Sequence, residues 1–278
     1  MNLIAAQKTA IQAARAAGRL MYANWHRPKR VKLAEAHDIK LELDVRCQKL
    51  IEKILRTAFP QIPLLGEEGD SGDTNAECRW VVDPIDGTVN YYLGMPHAAV
   101  SIALQKRDVC RALSYGKKPG SSLPSRIIRP TSHVPLLGVI YDPFTDELWT
   151  AVRGGPARLN GKRIHVSRRS HLEEAVIAMG FSKSSENLKK SLPLLIRLAR
   201  RARKIRIMGS AALELAYVAS GRLDAYIERT INLWDIAAGG LIVECAGGKF
   251  WAEPIKPGKK LRLVASNGLI HRLLPVPK

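Results

Sequence analysis

Residues 80–94, WVVDPIDGTVNYYLG, constrain the fold more than any other stretch of this chain. An apolar run of strand character ends in Asp83, Pro84 fixes the turn behind it, and Asp86 follows three residues on. An aspartate that ends a strand is presented at the C-terminal edge of its sheet. Gly87 permits a backbone path that a side chain would obstruct, and Thr88 can open the next element with free N–H groups, which bind anions. Two hard oxygen donors on one turn, beside amide donors, suit a magnesium ion and a phosphate together. Either dipeptide alone, Asp-Pro or Asp-Gly, would be only a turn.

Two further segments place carboxylates in similar surroundings. LLGEEG (64–69) sets Glu67 and Glu68 directly after a short apolar strand. NLWDIAAGGLIVECAGG (232–248) puts Asp235 in the first turn of a helix of small and apolar residues, where an acid also complements the helix dipole. Around them, mixed helix and strand is expected. Ile4, Ile11, Ala14, Gly18 and Met21 recur at helical spacing, although the acid-free N-terminus also fits a transit peptide. Leu43, Cys47, Leu50, Ile51, Ile54 and Leu55 predict a second helix that Pro60 and Pro63 end. Short strands follow at IPLLG, RWVVD and AAVSIAL, then a hairpin in LLGVIYDPFTDELWTAV, with GGPARLNGKRIHVS extending the sheet. Beyond Ser167, longer helices alternate with strands, which places a subdomain boundary near residue 168. The stretch from about 105 to 135, rich in Pro, Ser, Gly and positive charge, is long for a connection inside a compact domain and reads as an insertion.

Charge narrows the partners. Forty-four basic and 25 acidic residues give a formal charge of +19, which attracts anions, phosphate esters and nucleic acids alike. The densest run, RLARRARKIR (197–206), carries Leu198 and Ile205, with Ile207 just beyond, for a buried side, and has no aromatic residues for base stacking. No apolar run approaches the length of a membrane span. Cys47, Cys78, Cys110 and Cys245 show no pairing rhythm, which fits a reduced, cytoplasmic compartment.

The segments GEEG, WVVDPIDGTVNYYLGMPHAAVSIAL and WDIAAGG, in this order and at these separations, resemble the three signature segments of the inositol monophosphatase family, with the likeness running from the first helix to LRLVASNG. The resemblance implies an α+β fold, a layered αβαβα sandwich of the sugar-phosphatase type in two subdomains (1–168 and 169–278), acting as a homodimer. It implies two or three magnesium ions held by Glu67, Asp83, Asp86, Asp235 and the Ile85 carbonyl. Glu67, Thr88 and Asp44 would then serve the attacking water. Asp86, Gly87, Thr88, Gly209, Ser210, Ala211, Glu228 and Asp235 would contact the substrate. The expected reaction is hydrolysis of a small phosphorylated polyol, myo-inositol monophosphate, by in-line attack of a metal-activated water, with lithium as an inhibitor. Histidinol phosphate, 3′-phosphoadenosine 5′-phosphate and fructose bisphosphate are alternative substrates for the same chemistry. A nucleic-acid-binding regulatory role on the basic surface is the alternative of another class. Leu41 departs from the family pattern, standing where a threonine commonly precedes Asp44 by three residues.

Overall fold

The computed structural model of the chain describes residues 1–35, 38–107, 133–181, 185–255, 260–275 and 277. Helix α1 (Leu3–Ala23) begins where the Asn2 side chain accepts the N–H groups of Ile4 and Ala5, two donors that a first helical turn leaves open. Its buried face is Ala6, Ala10, Ala13, Ala14, Ala17, Gly18 and Met21, so the expected face is shifted and Ile4 lies exposed. Small residues let this helix lie close to the sheet beneath it. A Cβ on Gly18 would fall 2.5 Å from the Tyr141 ring.

A two-stranded antiparallel ribbon, β1 (Val31–Glu35) and β2 (Asp38–Leu41), leads into helix α2 (Glu42–Ala58). This ribbon is an addition to the elements expected from sequence, since its strands are only five and four residues long. Helix α2 buries Leu43, Cys47, Ile51 and Leu55 along one face, as the helical spacing predicts.

Among the described residues, a seven-stranded sheet follows. Strand β3 (Leu64–Gly66) runs parallel to β4 (Cys78–Asp86); the short helix α3 (Thr88–Tyr92) then turns the chain into β5 (Ala99–Arg107). From β4 onward the sheet is antiparallel through β5, β6 (His133–Asp142), β7 (Glu147–Val152), β8 (Arg158–Leu159) and β9 (Lys162–Arg163). The ends of the expected insertion belong to this ladder, because Gln105 pairs with Pro135 and Arg107 with His133. The remainder, residues 108–132 with Cys110, lies outside the described residues.

The chain passes to a second sheet at β10 (Val176–Gly180), followed by α4 (Ser185–Ala199), β11 (Lys204–Arg206), α5 (Ala211–Ala219), β12 (Ala225–Ile231), α6 (Leu233–Cys245), β13 (Lys249–Pro254) and β14 (Leu261–Ser266). Its strand order is β11-β10-β12-β14-β13. Strand β13 is a further addition to the expected elements. The basic run divides between the end of α4, a turn and the edge strand β11; Leu198 is buried and Ile205 packs on the core, whereas Ile207 is exposed, contrary to a wholly buried apolar side.

The layers follow from which faces are apolar. Helices α1 and α2 cover one face of the seven-stranded sheet, and α5 and α6 cover the other. The second sheet packs on the far side of α5 and α6, and α4 closes its outer face. This is an α+β fold with the αβαβα layering expected from sequence. Helix α6 is sandwiched between sheets, so it is apolar nearly all round, from Ile236 to Val243. No helix among the described residues is long and apolar enough to cross a membrane.

Candidate active site

The site forms where the end of β4 meets the starts of α5 and α6. Strict alternation would put Asp83 and Asp86 on opposite faces of β4. The ladder to β5 avoids this: Asp83 pairs with Ser101 and Asp86 with Ala99, so three steps on one strand match two on the other. The extra residue is a bulge that re-aims the strand end. Asp83 Oδ1 accepts the Ile85 N–H at 3.0 Å, which tightens the turn. Gly87 then adopts φ +93°, and a Cβ there would fall 2.8 Å from the His97 carbonyl oxygen. Glycine is required at this corner on both counts.

Two helix starts converge on the strand end. Asp86 Oδ2 accepts the Ser210 hydroxyl at 2.6 Å and the Ala212 N–H at 2.7 Å, which docks the first turn of α5 against it. Ser210 is itself the N-cap of α5, and Gly209 before it has φ +80°. Asp235, in the first turn of α6, accepts the Asn232 N–H at 2.9 Å. One carboxylate oxygen from each of Asp83, Asp86 and Asp235 lies within 4.8 Å of the others. Glu67 joins the group from the loop after β3, where its side chain hydrogen-bonds Asp83.

The expected partner of Thr88 is also in place. The Thr88 hydroxyl lies 2.8 Å from the Ile85 carbonyl oxygen and 3.3 Å from Asp44 Oδ1, so its single proton favours the carbonyl. Asp44 Oδ2 accepts the Leu41 N–H at 2.7 Å. A backbone donor therefore anchors Asp44 although Leu41 brings no hydroxyl. Glu228 arrives from β12, and only Gly180 on the neighbouring strand leaves room for it: a Cβ at that position would fall 1.9 Å from Glu228 Oε2.

Burial governs the electrostatics here. It pushes the carboxyls of Asp44, Glu67 and Glu228 up to about 7 and that of Asp86 to about 6. Asp83 and Asp235 rise well above the usual carboxylate range, through burial first and then through the neighbouring acids. A set of hard oxygen donors this close, buried and mutually repelling, suits a divalent cation of the magnesium type.

Each of the residues expected in the site, from Asp44 and Glu67 to Glu228 and Asp235, lies in this neighbourhood or on the elements that build it. Four supporting residues escaped that reading. Gln48 on α2 holds the GEEG loop, accepting from the Glu68 N–H (2.9 Å) and donating to the Gly69 carbonyl (2.8 Å). Asn90 Nδ2 donates to the carbonyls of His97 (2.9 Å) and Met208 (2.8 Å), joining the loop after α3 to the turn before α5. Glu214 and Tyr226 lie buried behind Glu228. For Glu214 a sequence signal did exist, a lone acid inside the apolar helix AALELAYVA.

Comparison with known proteins agrees with this geometry. The family model described as "Inositol monophosphatase family" matches residues 4–112 and 130–271, passing over part of the long connection. The chain is 38% identical over 232 residues to "Inositol-1-monophosphatase" of Rhizobium meliloti, covering 83% of this chain and 77% of that protein. It is 37% identical over 241 residues to "Nus factor SuhB" of Xylella fastidiosa, covering 86% and 78% respectively. Among solved structures, extragenic suppressor protein suhB from Bartonella henselae superposes with a TM-score of 0.80 at 33% identity, covering 96% of this chain and 95% of that one. Inositol monophosphatase from Anabaena gives a TM-score of 0.77 at 32% identity, covering 98% and 94%. The chain therefore belongs to the inositol monophosphatase family, a family of phosphatases.

Proposed function

We propose that the protein hydrolyses a phosphate monoester of a small polyol, myo-inositol monophosphate foremost, in a magnesium-dependent reaction. The observation that carries this reading is the meeting of Asp83 and Asp86 from β4 with Asp235 from α6 within 4.8 Å. Together with Glu67 and the Ile85 carbonyl, these residues would hold two or three magnesium ions. Magnesium, when bound, offsets the charge on the phosphoryl oxygens and makes water a better nucleophile.

The chain's own groups do the rest. The N–H groups of Gly87 and Thr88 hold the phosphate at the turn after β4. Glu67, Asp44 and the Thr88 hydroxyl orient the attacking water, and a carboxylate among them takes its proton. Glu228 accepts hydroxyl groups of the substrate, whose other contacts come from Gly209, Ser210, Ala211, Asp86 and Asp235. On this reading the protein is a cytoplasmic homodimer of two-subdomain protomers, divided near residue 168 and inhibited by lithium. The test is phosphate release from myo-inositol 1-phosphate, histidinol phosphate, 3′-phosphoadenosine 5′-phosphate and fructose bisphosphate at controlled magnesium. Rapid magnesium-dependent turnover of the inositol ester supports the reading, and equally feeble turnover of all four overturns it.

A second role in nucleic-acid binding is favoured by one observation. Arg197, Arg200, Arg201, Arg203, Lys204 and Arg206 are all exposed between the end of α4 and the edge strand β11. Several relatives are also named "Nus factor SuhB". Binding of RNA through these residues would weaken steeply with salt. RNA binding that is absent at low salt would remove this role.

A further inference from the structure

Behind Glu228 lies a set of buried polar groups to which the reaction as proposed gives no part. Tyr226 and Glu228 stand two residues apart on β12, so both side chains leave the same face of the strand, the one toward α5. The Tyr226 hydroxyl donates to Glu228 Oε2. The same hydroxyl is a hydrogen-bonding neighbour of Glu214, which projects from α5 and is 1% exposed. Glu214 Oε1 accepts the Met208 N–H at 3.0 Å, and the Met208 carbonyl accepts Asn90 Nδ2 at 2.8 Å. An unbroken chain of contacts thus runs from Glu228 through Tyr226 and Glu214 to the turn that carries Ser210, whose hydroxyl grips Asp86.

We infer that Tyr226 and Glu214 are positioning residues that fix the Glu228 carboxylate for recognition of substrate hydroxyls. The inference rests on the polyol-phosphatase reading and names what makes that site selective. Its logic is the directionality of donors. A phenol has one proton, and here it is spent on Glu228 Oε2, so a second donor is needed to satisfy the phenolic oxygen. Buried Glu214, whose carboxyl is raised well above the usual range by burial and then by Glu228, supplies that donor in its protonated form. Glu228 Oε2 is then occupied from behind. Gly180 leaves the carboxylate its place against β10, and the Tyr226 hydroxyl fixes its rotation there.

The test compares two esters, myo-inositol 1-phosphate and p-nitrophenyl phosphate, the second of which has no hydroxyl for Glu228 to accept. The readout is the ratio of their KM values. Tyr226→Phe, which removes one oxygen, should raise that ratio about tenfold, the effect of losing one positioning hydrogen bond. In the Glu228→Gln background the same substitution should change it less than about twofold, because the hydroxyl acts through Glu228. Glu214→Gln keeps an acceptor for Met208 and a donor for Tyr226, so its ratio should stay within about threefold of wild type, whereas Glu214→Leu should raise it about tenfold. The Glu214 pair reads the chain independently should Tyr226→Phe fail to fold. Equal losses on both esters, or full additivity with Glu228→Gln, overturn the inference alone. Wild-type protein that hydrolyses neither ester in magnesium overturns the phosphatase reading and this inference with it.

Discussion

Two sets of buried acids in this molecule are treated in opposite ways. Asp224 is fully buried, and both of its oxygens are satisfied. Arg169 Nε approaches them at 2.8 and 2.9 Å, the Val176 N–H donates at 2.7 Å, and the Ser167 hydroxyl adds another donor. The Asn267 N–H, in turn, is held by the Asp224 carbonyl. At the end of β4, by contrast, Asp83 is equally buried but has an Ile85 N–H on one side and three other acids around it. The first acid is complete within the fold, whereas the second group is complete only with positive charge from outside. That difference separates an acid that holds the fold together from acids kept for a ligand.

Exchange of single carboxyls should have the largest and most opposite effects on the two sets. Asp83→Asn should lower kcat/KM for the phosphate ester by about 10²- to 10³-fold, the scale of losing one preorganised electrostatic anchor. The same variant should melt higher than wild type when both are metal-free, since one repelling acid is gone. Asp224→Ala should do the reverse. It should cost about 3 kcal/mol of stability in chemical denaturation, because the Val176 N–H, the Ser167 hydroxyl and Arg169 all lose their acceptor, and leave magnesium affinity within about twofold. If Asp224→Ala abolished magnesium binding while remaining folded, the distinction would fail.

A smaller effect probes the rim. Gly180→Ala should displace Glu228 and raise KM for the polyol ester about tenfold with little change in kcat, because the loss falls on substrate hydroxyls and not on the reacting phosphate. Steady-state kinetics decides it.

The pH dependence of stability sharpens the contrast further. Asp44, Glu67 and Glu228 have folded values of about 7 and Asp86 about 6, against ordinary values of 3.8 for aspartate and 4.5 for glutamate. Each is raised, so each favours the folded state fully below its ordinary value, and that contribution disappears as pH rises through the folded value. His271 has the opposite sign: its value falls from 6.5 to about 4 through burial, so it destabilises as pH drops across that window. The acids outnumber it. Metal-free protein should therefore lose melting temperature between about pH 5 and about pH 7.5, and saturating magnesium should flatten that slope. Differential scanning calorimetry with and without chelator provides the check.

Much of the site was legible because its acids sit in contiguous, recognisable settings. Asp83 and Asp86 share one turn, and Glu67 and Asp235 stand at the ends of short apolar elements. What holds those acids was far less visible. Gln48 lies on a helix whose apolar spacing is complete without it, and Asn90 bonds to Met208, 118 residues away. Glu214 and Tyr226 meet only because α5 packs over β12. In the fold, the apolar rhythm of α2 was enough to place its buried face. The rhythm of α1 placed Ala14, Gly18 and Met21 on the buried face but misplaced Ile4, which is exposed; Gly18 allows the close contact with Tyr141. Strand β13 and the β1–β2 ribbon have weak alternation and depend on their partners for strand character.

The most direct test of the central claim is calorimetric titration of magnesium into metal-free protein near pH 7, repeated in buffers of different ionisation enthalpy. Carboxyls held near neutrality by burial must give up protons when a cation binds, so saturable binding with release of about one proton or more is expected, diminished in Asp83→Asn. Binding without proton release, or no saturable binding at all, would contradict it.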